Sequence, residues 1–124
     1  MKKIAVVEDN PDNRMLVQAI LEDQYELSEY ESGRQALDGL RIDKPDLVLL
    51  DISLPELDGP AVLREMRADA GLRDLPVIAL TAHAMAGDRE KYTGMGFDEY
   101  VTKPIVDEAV LLNAIARLLA RKPL

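Results

Sequence analysis

The segment Leu47-Val48-Leu49-Leu50-Asp51 decides the fold. Four consecutive apolar residues suit a strand covered on both faces. Asp51 then opens the loop Ile52-Ser53-Leu54-Pro55-Glu56-Leu57-Asp58-Gly59, where Pro and Gly interrupt regular structure. A carboxylate at the end of a buried strand is costly unless something charged meets it. The chain begins in the same way, with Ile4-Ala5-Val6-Val7 running into Glu8-Asp9. Two apolar strands that end in acid predict one acidic pocket, and a pocket of carboxylates suits a hard cation.

Strand-like and helix-like segments alternate outward from these two. Pro11 through Glu22 reads as a helix, with Asn10 placed to cap it and Pro11 in its first turn. Met15, Leu16, Ala19 and Ile20 are expected to form its apolar face. Leu27 to Tyr30 reads as a half-polar strand. Ser32 and Gly33 open a second helix, which Pro45 bars from continuing. Val62, Leu63 and Met66 mark a third helix, and Val77-Ile78-Ala79-Leu80 is another apolar strand. Ala84 to Tyr92 reads as a short fourth helix ending near Gly94 and Gly96, and Phe97 to Val101 as a last strand. Val110, Leu111, Ala114, Ile115, Leu118 and Leu119 give the final helix an apolar stripe.

Five strand–helix units with short connections predict an α/β fold, a parallel sheet with helices on both faces. The strands at 4–7, 47–50 and 77–80 are apolar throughout and belong at the centre. Those at 27–30 and 97–101 carry acids and suit the edges. Strands 1, 3 and 4 flanked by 2 and 5 are consistent with the order 2-1-3-4-5.

A length of 124 residues predicts a single domain over 1–124 with no separate output domain. The formal net charge of −8 should repel nucleic acid and anionic membrane. Without cysteine there is no disulfide framework or thiol nucleophile, which fits a reducing compartment. No apolar run is long enough to span a bilayer, and the first one stops at Glu8, too soon for a secretion signal. A cytoplasmic location is expected.

In an open α/β sheet, ligands bind outside the carboxyl ends of the strands, where the strand order reverses. Here that point lies between strands 1 and 3. Glu8, Asp9 and Asp51 meet there, and strands 4 and 5 deliver Thr81-Ala82 and Thr102-Lys103-Pro104 to the same rim. Two carboxylates about 4 Å apart repel by about 4 kcal/mol at an effective dielectric of 20. Three together favour a divalent cation, or else one takes a proton. All-oxygen donors with an open position suit Mg2+. A lysine and a hydroxyl beside a carboxylate nucleophile are the parts needed to hold a phosphoryl group passing onto an aspartate.

The runs Val7-Glu8-Asp9-Asn10 and Asp51 through Gly59, with Thr81-Ala82 and Lys103-Pro104, resemble response-regulator receiver domains in order and spacing. The continuation Asn10-Pro11-x-Asn13-Arg14 is similar to stand-alone regulators of the cell-cycle type and to receivers of hybrid histidine kinases. The resemblance implies a flavodoxin-like doubly wound (βα)5 fold and a phosphoacceptor in a two-component phosphorelay, not an enzyme. Asp51 would be phosphorylated and, with Thr81 and Lys103, form the catalytic set. Glu8, Asp9, Asp51 and the Ser53 backbone carbonyl would hold Mg2+, Asp9 directly and Glu8 through water. Thr81 and Tyr100 would be the switch residues, Pro104 would follow a cis bond, and Ser53 and His83 would tune the slow loss of phosphate. A histidine kinase or histidine phosphotransfer protein would donate the phosphate. A downstream protein would read the face made by helix 4, strand 5 and helix 5, with the domain a monomer or weak dimer. Glu8 is a common variant of the family's first acid, and Leu54 replaces a frequent Met.

Other readings fit less well. A phosphatase with an aspartyl-phosphate intermediate would want an acid two residues after Asp51, where this chain has Ser53. A receiver-like domain that signals without phosphate would be expected to lack Asp51, Asp9 or Lys103. A flavin binder would need stacking aromatics, and the chain has one Phe, four Tyr and no Trp. Gly94-Met95-Gly96 precedes a strand and suits a helix end rather than a dinucleotide loop. Met85, Tyr92 and Met95 are expected to be packing residues or, in part, to sit on a partner surface.

Overall fold

The computed structural model describes residues 1–82, 88–103, 105 and 107–121. Among them, five strands alternate with five helices. The order is β1 (Lys3–Val7), α1 (Pro11–Leu21), β2 (Glu26–Tyr30), α2 (Gly33–Ile42), β3 (Leu47–Asp51), α3 (Gly59–Ala68), β4 (Val77–Thr81), α4 (Asp88–Met95), β5 (Glu99–Thr102) and α5 (Glu108–Ala120). The strands form one parallel sheet in the order β2-β1-β3-β4-β5. The apolar strands are central and fully covered, while β2 and β5 are the mixed edges.

Alternation along the central strands divides the core into two layers. Ala5, Val7, Val48, Leu50, Val77 and Ala79 pack with α2, α3 and α4. Ile4, Val6, Leu47, Leu49, Ile78 and Leu80 pack with α1 and α5. The pairings Val7–Leu50, Asp51–Leu80 and Thr81–Thr102 align the carboxyl ends of β1, β3, β4 and β5 on one edge. The acids, the hydroxyl and the lysine found in the sequence therefore arrive together.

Local chemistry explains the boundaries. Asn10 accepts hydrogen bonds from the Asp12 and Asn13 amides, with Pro11 in the first turn of α1. Ser32 caps α2 through the Gln35 amide and Asp58 caps α3 through the Ala61 amide. After α4, Gly96 adopts φ 111°, a conformation that favours glycine. At the opposite end of the sheet, Arg67 of α3 donates to the Leu75 and Gly96 carbonyls and to Asp98. Asp98 also accepts from the Val77 amide, so this pair ties α3 to the starts of β4 and β5.

Several sequence expectations need correction. Of the expected α1 face, only Ile20 is buried. Met15, Leu16 and Ala19 are exposed, and the helix packs through Val17, Ile20 and Leu21. The mixed composition of α1 supports two stripes at helical spacing, and the sheet takes the one rotated by about one residue. The last strand starts at Glu99, because Phe97 turns into the core after the Gly96 bend. The described part of α4 runs on past Tyr92 to Met95, while residues 84–87 lie outside the described residues. Tyr92 packs in the core, Met95 is largely exposed, and Met85 lies outside the described residues.

The β3–α3 connection holds α3 hard against the end of β3. The Leu57 amide donates to the Pro55 carbonyl at 2.7 Å, a tight turn that places Glu56 at φ 64°. The Gly59 amide donates to the Ile52 carbonyl, and a Cβ at Gly59 would meet the Asp51 carbonyl oxygen at 2.5 Å and Ile52 Cα at 2.8 Å. Both obstacles are backbone and have little room to yield. Gly59→Ala should therefore destabilise the fold by about 1–3 kcal/mol, measured as a lower urea midpoint with an unchanged slope.

Candidate functional site

Glu8 lies just past β1 and is 1 % exposed. Its amide donates to the Tyr30 carbonyl, continuing the β1–β2 ladder one residue further. Its two side-chain oxygens are both engaged: Oε2 accepts from the Asn10 amide at 3.3 Å and Oε1 from Lys103 Nζ at 2.9 Å. Arg14, one turn into α1, donates through Nη1 to the Glu8 carbonyl at 2.9 Å and the Asp9 carbonyl at 3.3 Å. Sequence reading noted Arg14 only within a resemblance. Its role in holding this acidic turn depends on α1 folding back over it.

Asp51 ends β3 and is 2 % exposed. Its Oδ1 accepts from the Ser53 amide at 3.0 Å, and its Oδ2 lies 3.1 Å from Lys103 Nζ. The lysine ammonium thus bridges two buried carboxylates carried by different strands. Its backbone amide donates to the Thr81 carbonyl at 2.7 Å, which fixes where the side chain begins. Asp9 is exposed at the mouth of the site. Glu8, Asp9 and Asp51 each present a carboxylate oxygen within 4.8 Å of the others, an oxygen-donor set that suits a hard cation.

The electrostatics follow from this crowding. Burial, then the nearby Asp51 carboxyl, push Glu8 up from 4.5 to about 7, against the opposing pull of Lys103 and the Asn10 amide. Burial acts to lower the Lys103 pKa, but the two carboxylates outweigh it and the net shift is upward. Lys103 stays charged at neutral pH, whereas Glu8 holds its proton to a higher pH than a free carboxyl does.

Thr81, at the end of β4, is 1 % exposed. Its hydroxyl lies 3.2 Å from the Tyr92 hydroxyl of α4. The Tyr92 ring makes an edge contact with Phe97 and a tilted contact with Tyr100, with centroids 6.1 and 5.9 Å away. Tyr100 itself is half-buried. Tyr92, expected as a packing residue, also makes this hydroxyl contact, which forms only when α4 docks against β4. Ser53 is exposed beside Asp51. His83 and Pro104 lie outside the described residues.

This arrangement, a buried strand-end carboxylate, two further acids, a buried lysine and a hydroxyl at the carboxyl edge of a 2-1-3-4-5 sheet, goes with a family match along most of the chain. Residues 4–116 match the response regulator receiver domain, and the chain belongs to that family. It is a receiver domain of two-component signalling. Among its relatives is the polar-differentiation response regulator DivK of Brucella ovis, 44% identical over 105 residues, which span 84% of this chain and 85% of that protein. Among solved structures, it is similar to the receiver domain of the sensor histidine kinase PA1611 of Pseudomonas aeruginosa. That match has a TM-score of 0.87 and 36% identity, covers 97% of this chain and 98% of the other, and has a magnesium ion in its active-site cleft. A receiver domain of a histidine kinase from Syntrophus aciditrophicus matches at a TM-score of 0.86 and 33% identity, over 99% and 96% of the two chains.

Glu8 makes stability depend on pH. Its folded-state pKa is raised, so unfolding releases a proton between about pH 4.5 and 7. The contribution of Glu8 therefore favours the fold below this window and declines as pH rises through it. Urea midpoints should show this decline in the parent, and Glu8→Gln should flatten it.

Proposed function

We propose that the chain is a switch driven by phosphorylation of Asp51. The observation that carries this reading is the Lys103 ammonium held between Asp51 and Glu8, at 3.1 and 2.9 Å. A cation in that position offsets the charge of the resting nucleophile and lies within reach of any phosphoryl group placed on it. The donor would be a phosphohistidine on a histidine kinase or phosphotransfer protein. An Asp51 carboxylate oxygen attacks phosphorus, the new P–O bond forms, the P–N bond breaks, and the leaving imidazole keeps the bond pair and takes up a proton. Later, water attacks the acyl phosphate and releases inorganic phosphate slowly.

Glu8, Asp9, Asp51 and the Ser53 carbonyl would hold magnesium, with Asp9 and Asp51 as direct carboxylate ligands. When bound, Mg2+ supplies positive charge that offsets both the acids and the incoming phosphate. The chain's own residues do the rest. Ser53 orients Asp51 through its amide, Arg14 holds the turn bearing Glu8 and Asp9, Lys103 pairs with phosphoryl oxygens, and Thr81 donates to them. Exposed Met15 and Leu16 on α1, the helix that begins at the rim of the site, form an apolar landing place for the donor protein. The switch residues Thr81, at the end of β4, and Tyr100, on β5, pass the response to the face of α4, β5 and α5, where a downstream protein binds. Among the described residues no helix is long and apolar enough to cross a membrane, and the cytoplasm is the proposed location.

Incubation with acetyl phosphate and Mg2+ should give one phosphoryl adduct by intact mass. Asp51→Asn should abolish it, and chelating Mg2+ should suppress it. An adduct that survives Asp51→Asn, or a parent chain that never forms one, contradicts the reading. Because protons compete with the cation at Glu8, half-maximal phosphorylation should need more Mg2+ at pH 6 than at pH 8.

A further inference from the structure

We infer that Tyr92 is a positioning residue for the reaction: its hydroxyl latches Thr81 in the resting state, and loss of that bond is how phosphorylation reaches α4. The inference rests on the reading of Asp51 as phosphoacceptor and Thr81 as a phosphoryl contact.

Thr81 alternates along β4 with Val77 and Ala79, so its side chain faces the α2–α4 layer and meets Tyr92 there. Tyr92 is 4 % exposed, and among the described residues Thr81 is the one hydrogen-bond partner of its hydroxyl. Either hydroxyl can be the donor, so the pair forms one hydrogen bond whichever way its proton lies. Turning Thr81 toward a phosphoryl group on Asp51 breaks this bond. The Tyr92 hydroxyl is then left buried without its partner, a costly state unless the side chain or its helix moves. The same ring touches Phe97 and Tyr100, so a move of Tyr92 alters the packing around Tyr100 directly. One side chain therefore links the hydroxyl at the site, the aromatic on β5 and helix α4. It holds all three in the resting arrangement.

Tyr92→Phe keeps the ring and its packing and removes only the latch. Mg2+ with beryllofluoride is the probe, because it mimics the acyl phosphate and its binding is an equilibrium. Titration followed by amide NMR should show Tyr92→Phe binding about three- to tenfold tighter than the parent. In a Thr81→Val background the same substitution should change affinity by less than about twofold, because the partner is already gone. A simple packing defect would weaken binding in both backgrounds. Equal affinity of parent and Tyr92→Phe, or the same gain with Thr81→Val, overturns the latch. A parent chain that fails to bind the complex at all overturns the Asp51 reading instead, so the two failures are separable. Retained dispersed spectra report that each variant folds.

Discussion

Everything at this site depends on one ammonium group lodged between two buried carboxylates. Glu8 and Asp51 come from separate strands, and both are almost wholly removed from water. Two such charges at about 4 Å repel by about 4 kcal/mol at a dielectric of 20. Lys103, at 2.9 and 3.1 Å from them, turns that repulsion into attraction. Lys103 meets the Asp51 carboxyl directly, while burial, then the neighbouring Asp51 carboxyl, raises the Glu8 pKa to about 7. A site left with surplus negative charge is one that gains from a divalent cation and from a ligand that engages the lysine.

The fold serves this bridge. Parallel pairing brings four strand ends to one edge, and the Lys103 amide on the Thr81 carbonyl sets the lysine's origin. Gly59 lets the first turn of α3 sit directly on the Asp51 backbone, which no side chain at that position would allow. Arg14 secures the opposite wall by capping the Glu8 and Asp9 carbonyls. Asp51 is thus fixed from above, below and across the sheet, as a site that relies on positioning requires.

Sheet order, helix caps and the acidic rim were legible in the sequence for physical reasons. Fully apolar strands can only be central, Asn10 and Ser32 announce helix starts, and acids that terminate apolar runs must gather where the strands end. What escaped the sequence depended on rotation and approach. The α1 stripe is shared among Met15, Leu16, Val17, Ala19, Ile20 and Leu21, and composition alone does not say which part meets the sheet. Phe97 belongs to the core rather than to β5, because a positive-φ glycine redirects the chain just before it. Tyr92 and Arg14 act through contacts made only after helices dock, so neither spacing nor residue type marked them.

The account's central claim is that the oxygen receiving phosphate belongs to Asp51. Reductive trapping of the acyl phosphate with borohydride, followed by peptide mapping of chain phosphorylated by a phosphohistidine donor, tests it at residue level. The account predicts a single reduced position, residue 51, and none in untreated chain. Reduction at Asp9 or Glu8, with residue 51 unmodified, would contradict it.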